Sequence, residues 1–462
     1  MRYKREDYDL FLTSEMEVLR DAAPPECEGC DPSGPHDDPL TYLDNLRQIV
    51  NSQASPQANQ ILDFQTEASP WNPVSIRYSD DFSATVIPHF KHADYLIVQG
   101  PPGTGKTYRI AQLIARLLTL GHSVLATSLT NRALMEIALK RDLSDFVSRG
   151  LVGKANLTPD ERRELPQLDS IDAHSLPISA GNLSLATFCV ASSWAKSAPP
   201  VPPFDYVIMD EASQALLPMI AASVRLGKKV VWIGDQKQLP PVTVTPPEVI
   251  ARNNWEHIVN GFTTICHHQD FHTFLLSDTL RLTPRGARFT GIFYANNLRS
   301  VSSFDQIPSS NPILHKDGGP VLVTLPLAPS DLAPQNTIDF ICRTTSELLD
   351  EKPAARIAIL TKHAATALGV RASLQHRLGD LPKKLKIATV DKVQGLTVDY
   401  AFYLIPRPSA LASLEERLFN VATSRAKFNT IIVADGSLLD LPVPLNVGHF
   451  LRSLSLDRYS KG

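Results

Sequence analysis

The short apolar run Tyr95-Leu-Ile-Val-Gln leads directly into Gly100-Pro-Pro-Gly-Thr-Gly-Lys106-Thr107. After it comes Tyr108-Arg-Ile-Ala-Gln-Leu-Ile-Ala-Arg-Leu-Leu, with apolar residues at helical spacing. Strand, glycine loop and helix in that order fit the pattern G-x-x-x-x-G-K-S/T, a cradle for phosphate groups. The loop Gly100, Pro101, Pro102, Gly103, Thr104 and Gly105 would surround the phosphates with the backbone N–H groups of its non-proline residues, together with the positive end of the helix. Lys106 would reach the β and γ oxygens, and Thr107 would offer a hydroxyl to Mg²⁺. The chain is therefore expected to bind a nucleoside triphosphate, on a parallel α/β sheet.

A chain of 462 residues has room for two or three domains with cores of their own. With 43% apolar and 20% charged residues it falls among ordinary globular proteins. A net charge of −3 advertises no polyanionic partner, yet a local basic stripe would be hidden in that total. The charged start, Met1-Arg-Tyr-Lys-Arg-Glu-Asp, has no apolar signal core, and no apolar run is long enough to cross a bilayer. Five cysteines in such a chain do not make a disulfide framework. An intracellular setting, cytoplasmic or nuclear, is expected, with no membrane association.

The pattern changes along the chain. Residues 1–75 carry two helix-like stretches, Tyr8 to Leu19 and Thr41 to Val50, around a Pro-, Gly- and acid-rich segment from Ala22 to Pro39. They read as an N-terminal accessory segment. Strand and helix alternate from Ile76, with strands expected at Tyr95–Val98, Ser123–Thr127, Leu183–Phe188, Tyr206–Met209 and Lys229–Ile233. The rhythm lapses at about 140–182, which reads as a small insertion. A second series follows at Val321–Thr324, Arg356–Leu360, Lys386–Thr389, Ala401–Ile405 and Thr430–Ala434. Two tandem α/β domains, 76–275 and 276–462, are the expected architecture.

Hydrolysis needs a carboxylate for the metal and a second to activate water. Phe204-Asp-Tyr-Val-Ile-Met-Asp210-Glu211 supplies both at the end of an apolar strand. Asp210 would hold Mg²⁺ beside Thr107, and Glu211 would take the proton from the attacking water. The bland alternative is an acidic turn in which Asp caps a helix. A third strand ends in Gly234-Asp-Gln-Lys-Gln238-Leu-Pro-Pro, where Gln238 could sense the γ-phosphate.

These segments, with Thr389-Val-Asp-Lys-Val-Gln-Gly395 and Asn420-Val-Ala-Thr-Ser-Arg425-Ala-Lys, resemble the ordered motif series of the superfamily 1 helicases. The wording of Asp210-Glu-Ala-Ser-Gln and Ile292-Phe-Tyr-Ala is similar to the Upf-like branch, whereas Gln394-Gly-Leu-Thr397 looks more like the Pif and RecD branch. The match runs from about residue 80 to 435. The resemblance implies two RecA-like domains with ATP in a cleft between them. It also implies arginine fingers at Arg281, in Asp278-Thr-Leu-Arg281, and at Arg425, each otherwise an ordinary salt-bridged arginine. It adds Gly395 to the nucleotide-binding positions. Two departures stand out: Leu280 occupies the place of a base-stacking aromatic, a role that could pass to Tyr108, and no glutamine near Asp81–Ser83 matches the family's adenine reader.

A translocase also needs a track for its strand. Ser128, Thr130 and Asn131 match the family's first strand-contacting motif and Thr187 the next, while Thr361, His363, Thr389, Asp391 and Lys392 stand in equivalent places on the second domain. Hydroxyls and amides there suit sugar–phosphate contacts without sequence readout. Helix capping is the plain alternative for each. Cys27-Glu-Gly-Cys30 with His36 forms half a zinc site at best, because a closed site needs four ligands. The expected function is an ATP- and Mg²⁺-dependent helicase on single-stranded RNA or DNA, as a monomer, and the resemblance implies that it moves 5′→3′. Its short accessory regions would leave unwinding weak or dependent on a regulatory protein partner. The rival is a nucleotide-switched clamp that binds nucleic acid without unwinding it.

Overall fold

The computed structural model describes residues 5–21, 38–52, 55–63, 72–267, 271–304, 311–328, 330–393 and 395–459. It resolves into two units. The first comprises Met1–Gly100, Gly105–Gln236 and Pro240–Leu276, and the second Pro101–Thr104, Lys237–Leu239 and Ser277–Gly462.

Among the described residues the first unit is built on nine strands: β1 Val74–Ile76, β2 Tyr95–Gln99, β3 Val124–Ser128, β4 Val152–Ala155, β5 Asp169–Ile171, β6 Leu183–Thr187, β7 Phe204–Met209, β8 Gly227–Gly234 and β9 His272–Leu276. They form one sheet in the order β1-β9-β2-β8-β7-β3-β6-β4-β5, every pairing parallel. β2, β3 and β6 are buried along their whole length, which explains their nearly continuous apolar runs: both faces of a parallel sheet are covered. One face packs around Tyr95, Ile97, Val207 and Trp232, the other around Leu96, Val98, Ile114 and Ile208. Because all strands point the same way, Gln99, Ser128, Thr187 and Met209 end along one edge of the sheet. Ligands of open α/β sheets bind at that edge.

The helices Arg5–Asp21, Pro39–Asn51 and Pro56–Leu62 join this unit's core through Tyr8, Phe11, Leu46 and Ile61. Asp38 and Ser55 cap the second and third of them with their side chains. Glu15 ties the first helix down by accepting the N–H groups of Val244 and Thr245 at 3.0 and 2.7 Å. The stretch 140–182 has strands of its own, because β4 and β5 extend the sheet beyond β6. They are four and three residues long, and β4 carries the lysine Lys154, so no apolar run marks them.

The second unit has a short parallel pair, β10 Asp278–Thr279 with β11 Arg299–Ser300. Its main sheet holds β12 Gly319–Thr324, β13 Ile357–Thr361, β14 Leu385–Thr389, β15 Val398–Ile405 and β16 Ala426–Ala434, in the order β12-β16-β15-β13-β14 and wholly parallel. Apolar clusters cover both faces. Thr361 and Thr389 pair at the ends of β13 and β14.

Candidate nucleotide site

The loop after β2 takes the shape its glycines permit. Gly103 and Gly105 both adopt φ +76°, and an added Cβ on Gly103 would lie 2.3 Å from the Arg281 Cβ and 2.6 Å from Thr279 Oγ1. Within the second unit, Leu280 N–H donates to Gly103 O and Thr279 Oγ1 to Pro102 O, each at 2.9 Å. Gly105 opens the helix Lys106–Thr119, and Lys106 Nζ curls back to donate to Gly100 O at 2.6 Å. Gly100 N–H in turn bonds Gly234 O at 2.8 Å, joining the ends of β2 and β8. Thr107 is half-buried, and Tyr108 is exposed.

Asp210 and Glu211 follow β7. Asp210 is buried, and its backbone N–H donates to Thr127 O at 2.9 Å. Glu211 takes the left-handed conformation, φ +53°, rare for a residue with a Cβ, and its N–H bonds Asp210 Oδ1 at 2.9 Å. Ser128 Oγ lies 3.3 Å from Glu211 Oε2 as donor. Burial raises the pKa of Asp210, against the pull of the Glu211 N–H and Lys106. Burial, then repulsion by Asp210, pushes the Glu211 carboxyl up to about 7, while Ser128 and Lys106 hold it down. Lys106, Asp210 and Glu211 thus share one electrostatic cluster inside the first unit. Ser128 belongs to it as well; expected on the strand track, it is buried and bonded to a carboxylate instead.

Sequence reasoning passed over three polar residues. Gln99, at the end of β2, donates to Asp235 Oδ1 at 2.5 Å and accepts from Gln236 N–H at 3.1 Å, fixing the turn after β8. A polar residue closing an otherwise apolar strand was the readable signal. Arg109 donates to the carbonyls of Arg77, Tyr78 and Asp80 at 2.7–3.0 Å and so shapes the turn before the helix cap at Asp81. Asn420 donates to Lys237 O at 2.7 Å and to the Tyr294 hydroxyl at 2.9 Å, within the second unit. Gln238, next along, is buried.

The two candidate fingers are neighbours in the second unit. Arg281 Nη1 donates to Ser424 O at 3.2 Å and Arg425 Nε to Val421 O at 2.9 Å. Burial first and the charge of Arg425 second lower the pKa of Arg281. Gly395 is exposed at φ +79°.

The other track positions divide by what holds them. Thr130 and Thr187 cap helices, accepting from Ala133 and Val190 N–H, as the capping alternative has it. Thr361 Oγ1 donates to His363 O at 2.8 Å. Thr389 is buried, and its hydroxyl has no partner among the described residues. His363, Asp391 and Lys392 are exposed, and Asn131 is half-exposed. Cys27, Cys30, His36 and Gln394 lie outside the described residues. Among those described, no group of three or more His, Cys, Asp and Glu is placed to hold a metal, and no helix is long and apolar enough to cross a membrane.

Two family models, both described as AAA domain, match residues 185–246 and 262–437. DNA replication ATP-dependent helicase/nuclease DNA2 of Saccharomyces cerevisiae is 34% identical over 151 residues, 32% of this chain and 10% of that protein. The Homo sapiens protein of that name is 32% identical over 157 residues, covering 33% and 15%. The Schizosaccharomyces pombe protein is 26% identical over 413 residues, covering 79% of this chain and 28% of its own length. The chain therefore spans well under a third of these relatives. An arterivirus nonstructural protein 10 helicase solved with DNA aligns with 75% of this chain and 62% of its own at 16% identity and a TM-score of 0.41, too loose to carry weight.

Proposed function

The chain belongs to the superfamily 1 helicases, in their Upf-like branch, a class of ATP-hydrolysing enzymes, and on that premise we propose a motor that moves 5′→3′ along single-stranded RNA or DNA. The observation that carries the reading is the cluster of Lys106, Asp210 and Glu211 along one edge of the first sheet, after β2 and β7, with the Glu211 carboxyl pushed up to about 7. A carboxyl so tuned is a base matched to neutral pH.

Lys106 binds the β and γ oxygens, and Glu211 accepts the proton of the attacking water. Arg281 and Arg425 supply cations against the charge that develops on the γ-phosphate. Gln238 senses that phosphate, Gly395 lets backbone approach the nucleotide, and Tyr108 flanks the base. The Thr107 hydroxyl and the buried Asp210 carboxylate fit Mg²⁺, which takes only one or two carboxylates from a protein and fills its sphere with water and phosphate oxygens. Bound there, Mg²⁺ supplies positive charge to the phosphate oxygens. Asn131, His363, Asp391 and Lys392 are the proposed strand contacts, with Thr130, Thr187 and Thr361 shaping their turns; Thr389, buried as Ser128 is, is not among them.

The test is ATPase activity of the purified chain with oligo-dT and oligo-U over a salt series, beside strand displacement. Stimulation by one polymer names the substrate, and displacement separates a motor from a clamp. Lys106→Ala is expected to abolish hydrolysis; a wild-type rate in that variant ends the proposal.

A further inference from the structure

Lys154 sits in the middle of β4, wholly buried, where a strand of this sheet would ordinarily carry an apolar residue. An ammonium is costly to bury unless it is paired and its protons are bonded. Its Nζ donates to Glu161 Oε2 at 3.0 Å, to Ala155 O at 3.2 Å and to Asn131 Oδ1 at 2.8 Å. Glu161 is itself fixed by the capping box of the helix Pro159–Glu164: it accepts from Thr158 N–H, and its own N–H donates to Thr158 Oγ1. The same helix reaches the next residue of the turn, since Arg132 Nη1 donates to both carboxylate oxygens of Glu164 at 3.0 Å.

A structural staple for residues 150–164 accounts for the bond to Glu161. It does not account for the bond that leaves this stretch for Asn131, the first residue of the helix Asn131–Ala138. An ammonium has donors only, so the Asn131 amide must turn its oxygen toward Lys154 and its NH₂ away. The flipped amide would offer an oxygen where a phosphate backbone needs a donor.

We propose that Lys154 is a positioning residue for nucleic-acid binding: from inside the sheet it orients the half-exposed Asn131 amide so that its N–H donors face the sugar–phosphate backbone of a bound strand. This rests on the reading of Asn131 as a strand contact.

The experiment is fluorescence anisotropy of a labelled oligo-dT or oligo-U on the full chain, whichever stimulates hydrolysis. Asn131→Ala should weaken binding roughly three- to tenfold, the size of one net hydrogen bond. Lys154→Met should weaken it by a similar factor, add nothing in the double variant, and be rescued by Lys154→Gln, which keeps an N–H donor. Wild-type binding in Lys154→Met, penalties that add in full, or no rescue overturns the proposal. Asn131→Asp leaves the lysine in place, keeps an oxygen for it and removes the outward donors. Binding must then fall at least as far as in Asn131→Ala, and wild-type affinity overturns the proposal whether or not the lysine variants fold. If Asn131→Ala binds as tightly as the wild type, the strand-contact reading fails and takes this inference with it. If Asn131→Ala weakens binding and Lys154→Met does not, only the inference fails.

Discussion

The two units assemble their charges by opposite rules. In the first, burial raises the pKa of both Asp210 and Glu211, and Lys106 lies among these carboxylates and pulls both back. In the second, Arg281 and Arg425 are neighbours of like sign, and burial first and the charge of Arg425 second disfavour the charge on Arg281. A cluster of mixed sign carries a counter-charge of its own. Two guanidiniums side by side repel, and an arriving anion offsets that repulsion. That contrast is the physical reason to give the first unit the proton and metal chemistry and the arginines the charge of the transferring phosphate.

The contrast breaks most visibly at Arg425. Arg425→Ala is expected to lower kcat by about 10³-fold or more while nucleotide still binds, the size seen when an arginine finger is removed. Stopped-flow binding of a fluorescent ATP analogue beside steady-state turnover reads both quantities, and loss of binding with retained turnover would reverse the assignment. Glu211→Gln should cost about 10²- to 10⁴-fold as a lost general base. A base works only when deprotonated, so wild-type kcat/KM should fall as pH drops through about 7, the position of the Glu211 carboxyl. In the glutamine variant that acid limb should flatten.

A subtler outcome concerns stability. Arg281→Met removes the repulsion within the arginine pair and should stabilise the second unit by roughly 1 kcal/mol in denaturant unfolding, while turnover drops. A loss of that size would mean that the hydrogen bond to Ser424 O outweighs the repulsion.

Most strands of both sheets were legible because buried parallel strands read as unbroken apolar runs; β2 and β13 are examples. β4 and β5 were not, since Lys154 interrupts the first and the second is short and exposed. The phosphate loop and the Asp210–Glu211 pair announce themselves by local spacing. Partnerships made across the sheet leave no such trace. Gln99 with Asp235 spans 136 residues, and Ser128 with Glu211 spans 83. A serine at a strand end reads equally as a strand contact, a cap or a carboxylate partner until the neighbouring strand is placed.

Ser128 gives the smallest effect and the sharpest discrimination. Its hydroxyl donates to Glu211 at 3.3 Å and lowers that carboxyl's pKa against burial. Ser128→Ala therefore raises the Glu211 pKa, by up to about one unit for a hydrogen bond of ordinary net strength. The acid limb of kcat/KM should move to higher pH, costing a few-fold at pH 7 and little at pH 8.5, where the base is ionised in both proteins. Oligonucleotide affinity should not change, because the hydroxyl is buried and committed to the carboxylate. A variant that instead loses affinity at every pH, with its acid limb unmoved, would return Ser128 to the strand track and detach β3 from the proton chemistry of the first unit.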